Sequence, residues 1–175
     1  GGGISFSLVA TLSLVPGSAA YTQQDHTVVI GDFDDDGKPD LATPNYNAGT
    51  VSFFLNTNTI TGTLSFTNTP SLTVPVNAGS ANGPVFGVGI GDFDGDGKID
   101  VAASNVSTNS LVVLKNTSTI GNLSFTNRVT YSTGAYPENL VVGDMNNDSR
   151  PDIAVSNLSG NTISLFRNVA VPNPP

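Results

Sequence analysis

The 175-residue chain contains no cysteine and no tryptophan, one histidine, and only six lysine and arginine residues. The absence of cysteine excludes a disulfide framework and leaves the redox compartment open. The few basic residues are scattered, and because phosphate contacts need a basic stripe, nucleic-acid binding is disfavoured. The single histidine, His26, has no assignable catalytic partner, so we interpret it as a surface residue at the start of a strand.

Long apolar runs are also missing. No run reaches the roughly 18 residues of a transmembrane helix, so no membrane span is expected. The stretch 4–20 ends in Ser18-Ala19-Ala20, as a signal peptide does, but it has no basic n-region. Its apolar residues alternate with Ser and Thr, and we therefore interpret it as part of the mature structure.

What the sequence has instead is an acidic nine-residue loop that occurs three times. The first loop spans residues 32–40, the second 92–100 and the third 144–152. Oxygen-bearing side chains occupy positions 1, 3, 5 and 9 of each loop, a spacing typical of loops that wrap a hard cation. The loops recur with a period of about 50–60 residues, which indicates a repeat architecture.

The negative charge of the chain is concentrated in these loops. Of the 14 Asp and Glu residues, 11 occupy the candidate ligand positions. The six positive charges of three divalent cations would bring the formal net charge from −8 to −2. Without metal, carboxylates about 4 Å apart repel by about 1 kcal/mol per pair even in water. We therefore expect folding and metal binding to be coupled.

We predict one calcium ion per loop, about three in all, because calcium prefers about six to eight oxygen ligands. Position 7 would contribute its backbone carbonyl, which leaves the Lys or Arg side chain free to point to solvent. The candidate ligands are Asp32, Asp34, Asp36, Lys38 and Asp40; Asp92, Asp94, Asp96, Lys98 and Asp100; and Asp144, Asn146, Asp148, Arg150 and Asp152.

Position 6 of the loop must reverse the chain tightly, which Gly37 and Gly97 permit and a Cβ would hinder. The third loop has Ser149 there, and it also replaces one carboxylate by Asn146. Both changes predict that the third site is the weakest. The alternatives are Asp/Gly-rich turns without metal, and magnesium, whose tighter octahedral demand fits less well. No loop has the Glu at position 12 of a helix–loop–helix calcium site.

Each repeat is predicted to contain four antiparallel strands and no helix, separated by clusters of Asn, Gly and Pro. The predicted strands are 5–15, 65–76 and 124–131; 27–33, 85–93 and 139–145; 40–43, 100–104 and 152–156; and 50–56, 110–116 and 162–168. Asn56, Asn116 and Asn168 each follow the glycine before a loop by 25 residues, which implies a rigid unit. We predict one all-β repeat domain over 1–175, with repeats at 4–63, 64–122 and 123–169 and a Pro-rich tail at 170–175.

The sequence from Ile90 to Asn105, Ile-Gly-Asp-Phe-Asp-Gly-Asp-Gly-Lys-Ile-Asp-Val-Ala-Ala-Ser-Asn, resembles the FG-GAP and VCBS-type repeats. Repeats of this family also form the blades of the integrin alpha-subunit propeller. The resemblance implies β-propeller-type blades, each binding calcium between its first two strands. It does not imply one function, because related repeats occur in adhesins, lectins and lyase-associated domains.

Aromatic residues are interpreted mainly as packing residues. The three phenylalanines that recur in register before the variable region are expected in the core between blades: Phe6, Phe66 and Phe125. The residues at position 2 of the loops are expected in the core beside the metal: Phe33, Phe93 and Met145. The four tyrosines could stack on carbohydrate, but packing or loop exposure is the preferred interpretation: Tyr21, Tyr46, Tyr131 and Tyr136.

The function that these features favour is a non-enzymatic, extracellular calcium-binding module for adhesion or for cell-surface or filament architecture. Millimolar calcium outside the cell suits weak loops of this kind. The alternatives are a carbohydrate-binding, lectin-like propeller module and a fragment of a larger secreted propeller protein. A propeller hydrolase or lyase has no supporting His or Arg/Lys cluster.

Strand counting predicts self-association. The third repeat lacks its outermost strand, whereas the predicted strand 5–15 is of the outer type and has no repeat of its own. We expect the N-terminal strand of one chain to complete the third repeat of another by strand addition. Such head-to-tail contacts would close a six-bladed ring from two chains, or form a filament. The alternative partners are neighbouring blades of a longer chain, a glycan or a surface protein.

Overall fold

A computed structural model describes residues 4–13, 27–46, 48–60, 62–67, 72–76 and 84–170. These residues form eleven strands and no helix, which confirms the all-β prediction for the described part of the chain. The strands are β1 Val29–Gly31, β2 Asp40–Asn45, β3 Thr50–Phe54, β4 Leu72–Pro75, β5 Val85–Gly91, β6 Asp100–Asn105, β7 Ser110–Asn116, β8 Phe125–Ser132, β9 Pro137–Gly143, β10 Asp152–Asn157 and β11 Thr162–Phe166. The described residues contain no helix that could span a membrane.

The strands form three antiparallel sheets, each made of strands consecutive in sequence. Sheet one has the order β1-β2-β3-β4, sheet two β5-β6-β7-β8, and sheet three β9-β10-β11. The acidic loops connect the first two strands of each sheet, and the last loop residue begins the second strand. The register there is the same in all three sheets, with Gly31 opposite Asp40, Gly91 opposite Asp100 and Gly143 opposite Asp152.

Most predicted strands are present with ends shifted by a few residues, but two predictions need correction. The strand predicted over 65–76 is shorter, since Phe66 makes only an isolated bridge to Asn56 before β4 begins at Leu72. The strand predicted over 5–15 is not formed over residues 4–13, the part of it that is described. A strand needs a neighbour to satisfy its N–H and C=O groups, and this segment has no pairing within the described chain.

The sheets pack face to face in sequence order around two hydrophobic clusters. Phe33, Val51 and Phe53 of sheet one and its first loop are buried against Val88 and other apolar residues of sheet two. The opposite face of sheet two packs on sheet three, and the residues of that second cluster are Ala102, Leu111, Leu140, Ile153 and Val155. Sheet two is therefore apolar on both faces, with β6 sending alternate side chains to the two clusters.

The predicted aromatic core is confirmed for only part of its members. Phe33 is buried, and Phe125 stacks on Phe53 with ring centroids 4.5 Å apart. Phe66 is half-buried. The predicted burial of Met145 was wrong, because Met145 is 49% exposed, and Phe6 is 94% exposed and therefore lies outside the core of its own chain.

Position in the stack explains the difference between Met145 and its equivalents in the first two loops. Phe33 is covered by sheet two, and Phe93 packs at the edge of the cluster between sheets two and three. The outer face of sheet three has no further sheet over it among the described residues, and Val141, Ile163 and Leu165 on that face are also exposed.

Close approach of sheets two and three depends on a glycine in β5. A Cβ added to Gly87 would lie 2.9 Å from Glu138 O and 3.1 Å from the backbone of β9. Gly143, at the end of β9, has nothing within 4 Å of the same position. We expect Gly87→Ala to destabilise the protein by about 2 kcal/mol through overpacking, whereas Gly143→Ala should be nearly neutral. Urea denaturation of both variants tests this, and equal losses would contradict the packing argument.

Candidate metal centre

Each acidic loop turns through two residues in the left-handed backbone region, at positions 4 and 6. The position-6 residues Gly37, Gly97 and Ser149 have φ of 83°, 88° and 65°. At position 4 the equivalent residues are Asp35, Gly95 and Asn147, with φ of 66°, 77° and 62°. Sequence analysis recognised the need for glycine at position 6 only. Asn, Asp and Gly are the residue types that tolerate this region best, and Ser149 is the exception to them.

The carboxylate at position 1 holds the turn together. Asp32 accepts the backbone N–H groups of Asp36 at 3.1 Å and Gly37 at 2.7 Å. Asp92 accepts the corresponding N–H groups at 3.1 and 2.9 Å, and Asp144 accepts them at 3.2 and 2.8 Å. These bonds orient the remaining acidic side chains of the loop, so that position 1 has a structural role in addition to that of a candidate ligand.

The carboxylate at position 9 ties the loop to the third strand. One oxygen of Asp40 accepts the N–H of Phe33 at 3.0 Å, and the other accepts the N–H of Asn56 at 2.8 Å. Asp100 and Asp152 make the same two bonds, the second again at 2.8 Å in each case. All three aspartates are buried. This bridge is the physical origin of the constant spacing between each loop and the asparagine after it.

Those asparagines are structural residues whose role sequence analysis did not identify. The Asn116 side chain donates to Ile99 O in its own sheet at 2.9 Å and to Phe33 O in the first loop at 2.9 Å. Asn168 repeats the second bond, donating to Phe93 O in the second loop at 3.0 Å. Asn116 and Asn168 therefore each join their own sheet to the loop of the preceding sheet. The 25-residue spacing was the available signal, although it did not reveal the inter-sheet contact.

Acidic oxygens converge in the first two loops. Asp32, Asp34 and Asp40 each place a carboxylate oxygen within 4.8 Å of the others. In the second loop the corresponding group is Asp92, Asp94 and Asp96. Two ligands on opposite sides of a calcium ion lie about 4.8 Å apart, twice the usual calcium–oxygen distance of about 2.4 Å. The spacing therefore fits a calcium ion in both groups.

A buried carboxylate oxygen supports this fit independently. Asp34 is 2% exposed, and its Oδ1 has no hydrogen-bond partner among the described residues. Its Oδ2 accepts the backbone N–H of Gly121, from the loop before β8, at 2.7 Å. A buried carboxylate oxygen without a partner is costly, and a cation would satisfy it. The donor set, consisting only of oxygens, is the one that calcium prefers.

Lysine and arginine side chains form ion pairs with several of the candidate ligand carboxylates. Lys38 pairs with Asp36, and Arg150 pairs with Asp148. The Lys38 side chain is 40% exposed, so the expectation that it points freely into solvent needs correction: the ammonium neutralises a nearby loop carboxylate. The Lys98 ammonium instead donates to Ser118 O. That the backbone carbonyls of Lys38, Lys98 and Arg150 are ligands stays a prediction.

Lys115 is a further charged residue at the second loop that the sequence pattern did not reveal. It lies in β7, and its ammonium contacts Asp94 and, at 2.8 Å, Asp96. These two carboxylates raise the pKa of Lys115 well above its ordinary value. Its ammonium therefore neutralises part of the negative charge of two candidate ligands of the second loop.

Burial raises the pKa of two position-9 carboxylates, those of Asp40 and Asp100. The pKa of Asp100 is raised to about 6, mainly by desolvation and to a smaller extent by the charges of Asp94 and Asp96, against the lowering effect of two backbone N–H bonds. Burial raises the pKa of Asp40 in the same direction. By contrast, the pKa of Asp36 lies below its ordinary value because of its hydrogen bond to Lys38.

This shift predicts an unusual pH dependence for the metal-free protein. Between about pH 4 and pH 6 the native state holds a proton on Asp100 that the unfolded chain releases, so the free energy of unfolding should fall as the pH rises. The Asp100 contribution is about 3 kcal/mol across that window. Urea denaturation of metal-free protein measures it, with Asp100→Asn as the control in which the slope should flatten. Equal slopes for the two proteins would contradict the assignment.

The tyrosines and the histidine are placed as follows. Tyr46 and Tyr136 lie on either side of Phe86, with ring centroids 4.7 and 5.7 Å from it, so both are packing residues. Tyr131 is partly exposed and lies 5.8 Å from the ring of Phe166. The expectations for Tyr21 and His26 fall outside the described residues.

Comparison with known families agrees with the position of the loops. The sequence model of the family described as FG-GAP-like repeat matches residues 32–103 and again residues 92–155. Each match begins at position 1 of an acidic loop, and together they cover more than half of the chain. No curated protein matches the chain at a significant level.

Proposed function

Because the chain belongs to the FG-GAP-like repeat family, we propose that it is a non-enzymatic calcium-binding repeat module of an extracellular or cell-surface protein. The observation that carries this proposal is the convergence of the Asp32, Asp34 and Asp40 carboxylates, together with the buried Asp34 Oδ1, which has no hydrogen-bond partner among the described residues. Bound calcium would supply positive charge to a loop whose carboxylates otherwise repel one another.

With calcium bound, each of the three loops would hold the first two strands of its sheet together. Positions 1, 3 and 5 would hold the ion, with the position-7 carbonyl and the position-9 carboxylate completing the set. The position-9 aspartate already bonds two backbone N–H groups, so an ion there would tighten the link between the loop and the third strand. We propose that each sheet is one blade of a β-propeller, supported by the stacking of the sheets in sequence order.

Titration calorimetry on metal-free protein tests calcium binding. We expect the three sites to differ in affinity. The third site should bind about tenfold more weakly than the other two, because it has one carboxylate fewer. The double variant Asn146→Asp/Ser149→Gly restores both departures of the third loop and should tighten that site by a similar factor. Equal affinities at all three loops, or no response in the double variant, would contradict the ligand assignment.

A second part of the proposed function is self-association. We propose that an N-terminal segment of one chain adds to sheet three of another, for adhesion or filament architecture. The supporting observation is that sheet three has three strands within the described chain, whereas sheets one and two have four. Strand addition supplies main-chain hydrogen bonds to an open edge. Neighbouring blades of a longer chain are the alternative partner.

Carbohydrate binding is the competing function. Its one specific support is the partly exposed Tyr131 beside Phe166, because an aromatic pair can stack on a sugar ring. Tyr46 and Tyr136 give it no support, since they pack against Phe86. A glycan array probed with calcium-loaded protein, and with Tyr131→Ala as a control, separates the two functions.

A further inference from the structure

A cavity of about 660 Å³ lies between sheets two and three, next to the second acidic loop. Its walls include Phe93 and Val113 from the side of sheet two and Ile153 and Phe166 from sheet three. Tyr131 of β8 lies at the same cavity and is partly exposed. The cavity is partly open to solvent, and its lining is mainly apolar.

The equivalent space between sheets one and two is filled by one side chain, that of Phe125. Its ring stacks on Phe53 at 4.5 Å and meets Phe33 at 6.4 Å. Phe33 and Phe53 occupy the same repeat positions as Phe93 and Val113, 60 residues earlier in each case. Phe125 comes from the fourth strand of sheet two, and sheet three has no fourth strand among the described residues. The cavity is therefore the place where a fourth strand would insert its phenylalanine.

One segment of the chain carries the required sequence. Phe125 belongs to Leu123-Ser124-Phe125-Thr126, and the N-terminal residues read Ile4-Ser5-Phe6-Ser7. In its own chain this segment is unpaired over residues 4–13, and Phe6 is 94% exposed, so it does not occupy its own chain's cavity. The exposed Phe6 and the cavity equivalent to the one that Phe125 fills are complementary surfaces at different places on one molecule. Such a pair of surfaces allows head-to-tail association.

We propose that the cavity between sheets two and three is the binding site for Phe6 of a second copy of the chain, whose residues 4–7 pair with residues 167–170, directly after β11, along the edge that has no partner strand among the described residues. This inference rests on the strand addition proposed above and specifies its anchor and register. In sheet two, Phe125 lies opposite Asn116 and Thr126 opposite Lys115. The same register places Phe6 opposite Asn168 and Ser7 opposite Arg167.

The first experiment measures self-association of the full chain by light scattering over a range of concentrations, in excess calcium. Phe6→Ala should weaken association by about thirtyfold, the effect of removing a buried aromatic anchor. Val9→Ala is the matched control: it shortens another exposed apolar residue of the same segment, outside the four residues 4–7 that carry the motif. Its association should stay within about twofold of the unmodified chain.

Calcium titration of the same variants separates this inference from the proposed function. Phe6→Ala should bind calcium as the unmodified chain does, because Phe6 lies outside all three loops. Loss of association with calcium binding intact supports the inference. A chain that is monomeric at all concentrations, or Phe6→Ala and Val9→Ala variants that associate equally, would overturn it while leaving the calcium proposal standing.

The second experiment tests the register and the source of the strand, using the absence of native cysteine. The single variants Ser7→Cys and Arg167→Cys are mixed and oxidised, with Ser13→Cys plus Arg167→Cys as the control pair. A disulfide-linked heterodimer that forms in the first mixture and not in the control supports the proposal. If only the double variant Ser7→Cys/Arg167→Cys cross-links, and within single chains, the segment is closing its own chain and the proposal of a second copy is wrong.

Discussion

Removing calcium with a chelator should lower the melting temperature of the protein by about 10–20 °C. An ion present at about 100 times its dissociation constant contributes about 2.7 kcal/mol per site, so the two carboxylate-rich loops together contribute about 5 kcal/mol. For a chain of this length, each kcal/mol corresponds to about 2–4 °C. Thermal unfolding followed by circular dichroism, with calcium and with excess chelator, measures the shift.

The matched control for this experiment is the double variant Asp34→Asn/Asp94→Asn. It removes one central carboxylate from each of the two acidic groups while keeping the size of the side chains. Its melting temperature should respond to chelator much less than that of the unmodified chain. An unmodified protein with the same melting temperature in calcium and in chelator would rule out calcium as a stabilising ligand.

Substituting Asn116→Ala should destabilise the protein by about 3–4 kcal/mol. The buried side chain donates to Ile99 O and Phe33 O at 2.9 Å and accepts the Ser118 N–H at 2.8 Å. Truncation removes all three bonds and leaves buried carbonyl groups without a donor, each of which costs about 1–3 kcal/mol. Urea denaturation, with the m-value checked for two-state behaviour, gives the loss.

Asn56 is the natural control for this substitution, because it has the same place in sheet one. It donates to Pro39 O at 2.9 Å and accepts the Asn58 N–H at 3.0 Å, but sheet one has no preceding loop among the described residues to which it could donate. Asn56→Ala should therefore cost about 1–2 kcal/mol less than Asn116→Ala. Equal losses would mean that the inter-sheet bond to Phe33 O contributes nothing measurable.

The sequence was sufficient to predict the repeat, the acidic loops and the strands that flank them. Those features are local: the loop side chains follow a fixed spacing, and each strand is bounded by Asn, Gly or Pro. The second left-handed position of the loop was missed because Asp35 and Asn147 are not glycine, although their residue types tolerate positive φ.

Features that depend on contacts between sheets could not be predicted from a single repeat. Met145 occupies the same position as Phe33, and only the order of the sheets determines that one is exposed and the other buried. Phe6 has the same motif as Phe125, but a strand forms only where an edge is available to pair with it. Lys115 lies 15 residues after Asp100, the last candidate ligand of the second loop. The spacing within the loop does not indicate that Lys115 contacts Asp94 and Asp96.

The hydrogen bond from Gly121 N–H to Asp34 would couple the proposed calcium site of the first loop to the neighbouring sheet. Asp34 belongs to the acidic group of the first loop, whereas Gly121 belongs to the connection between β7 and β8 of sheet two. A calcium ion that ordered Asp34 would also stabilise the docking of sheet two, and by reciprocity the docked sheet would raise the affinity of the first loop for the ion. If the first loop binds calcium as proposed, calcium occupancy and inter-sheet docking would form one cooperative equilibrium between neighbouring sheets.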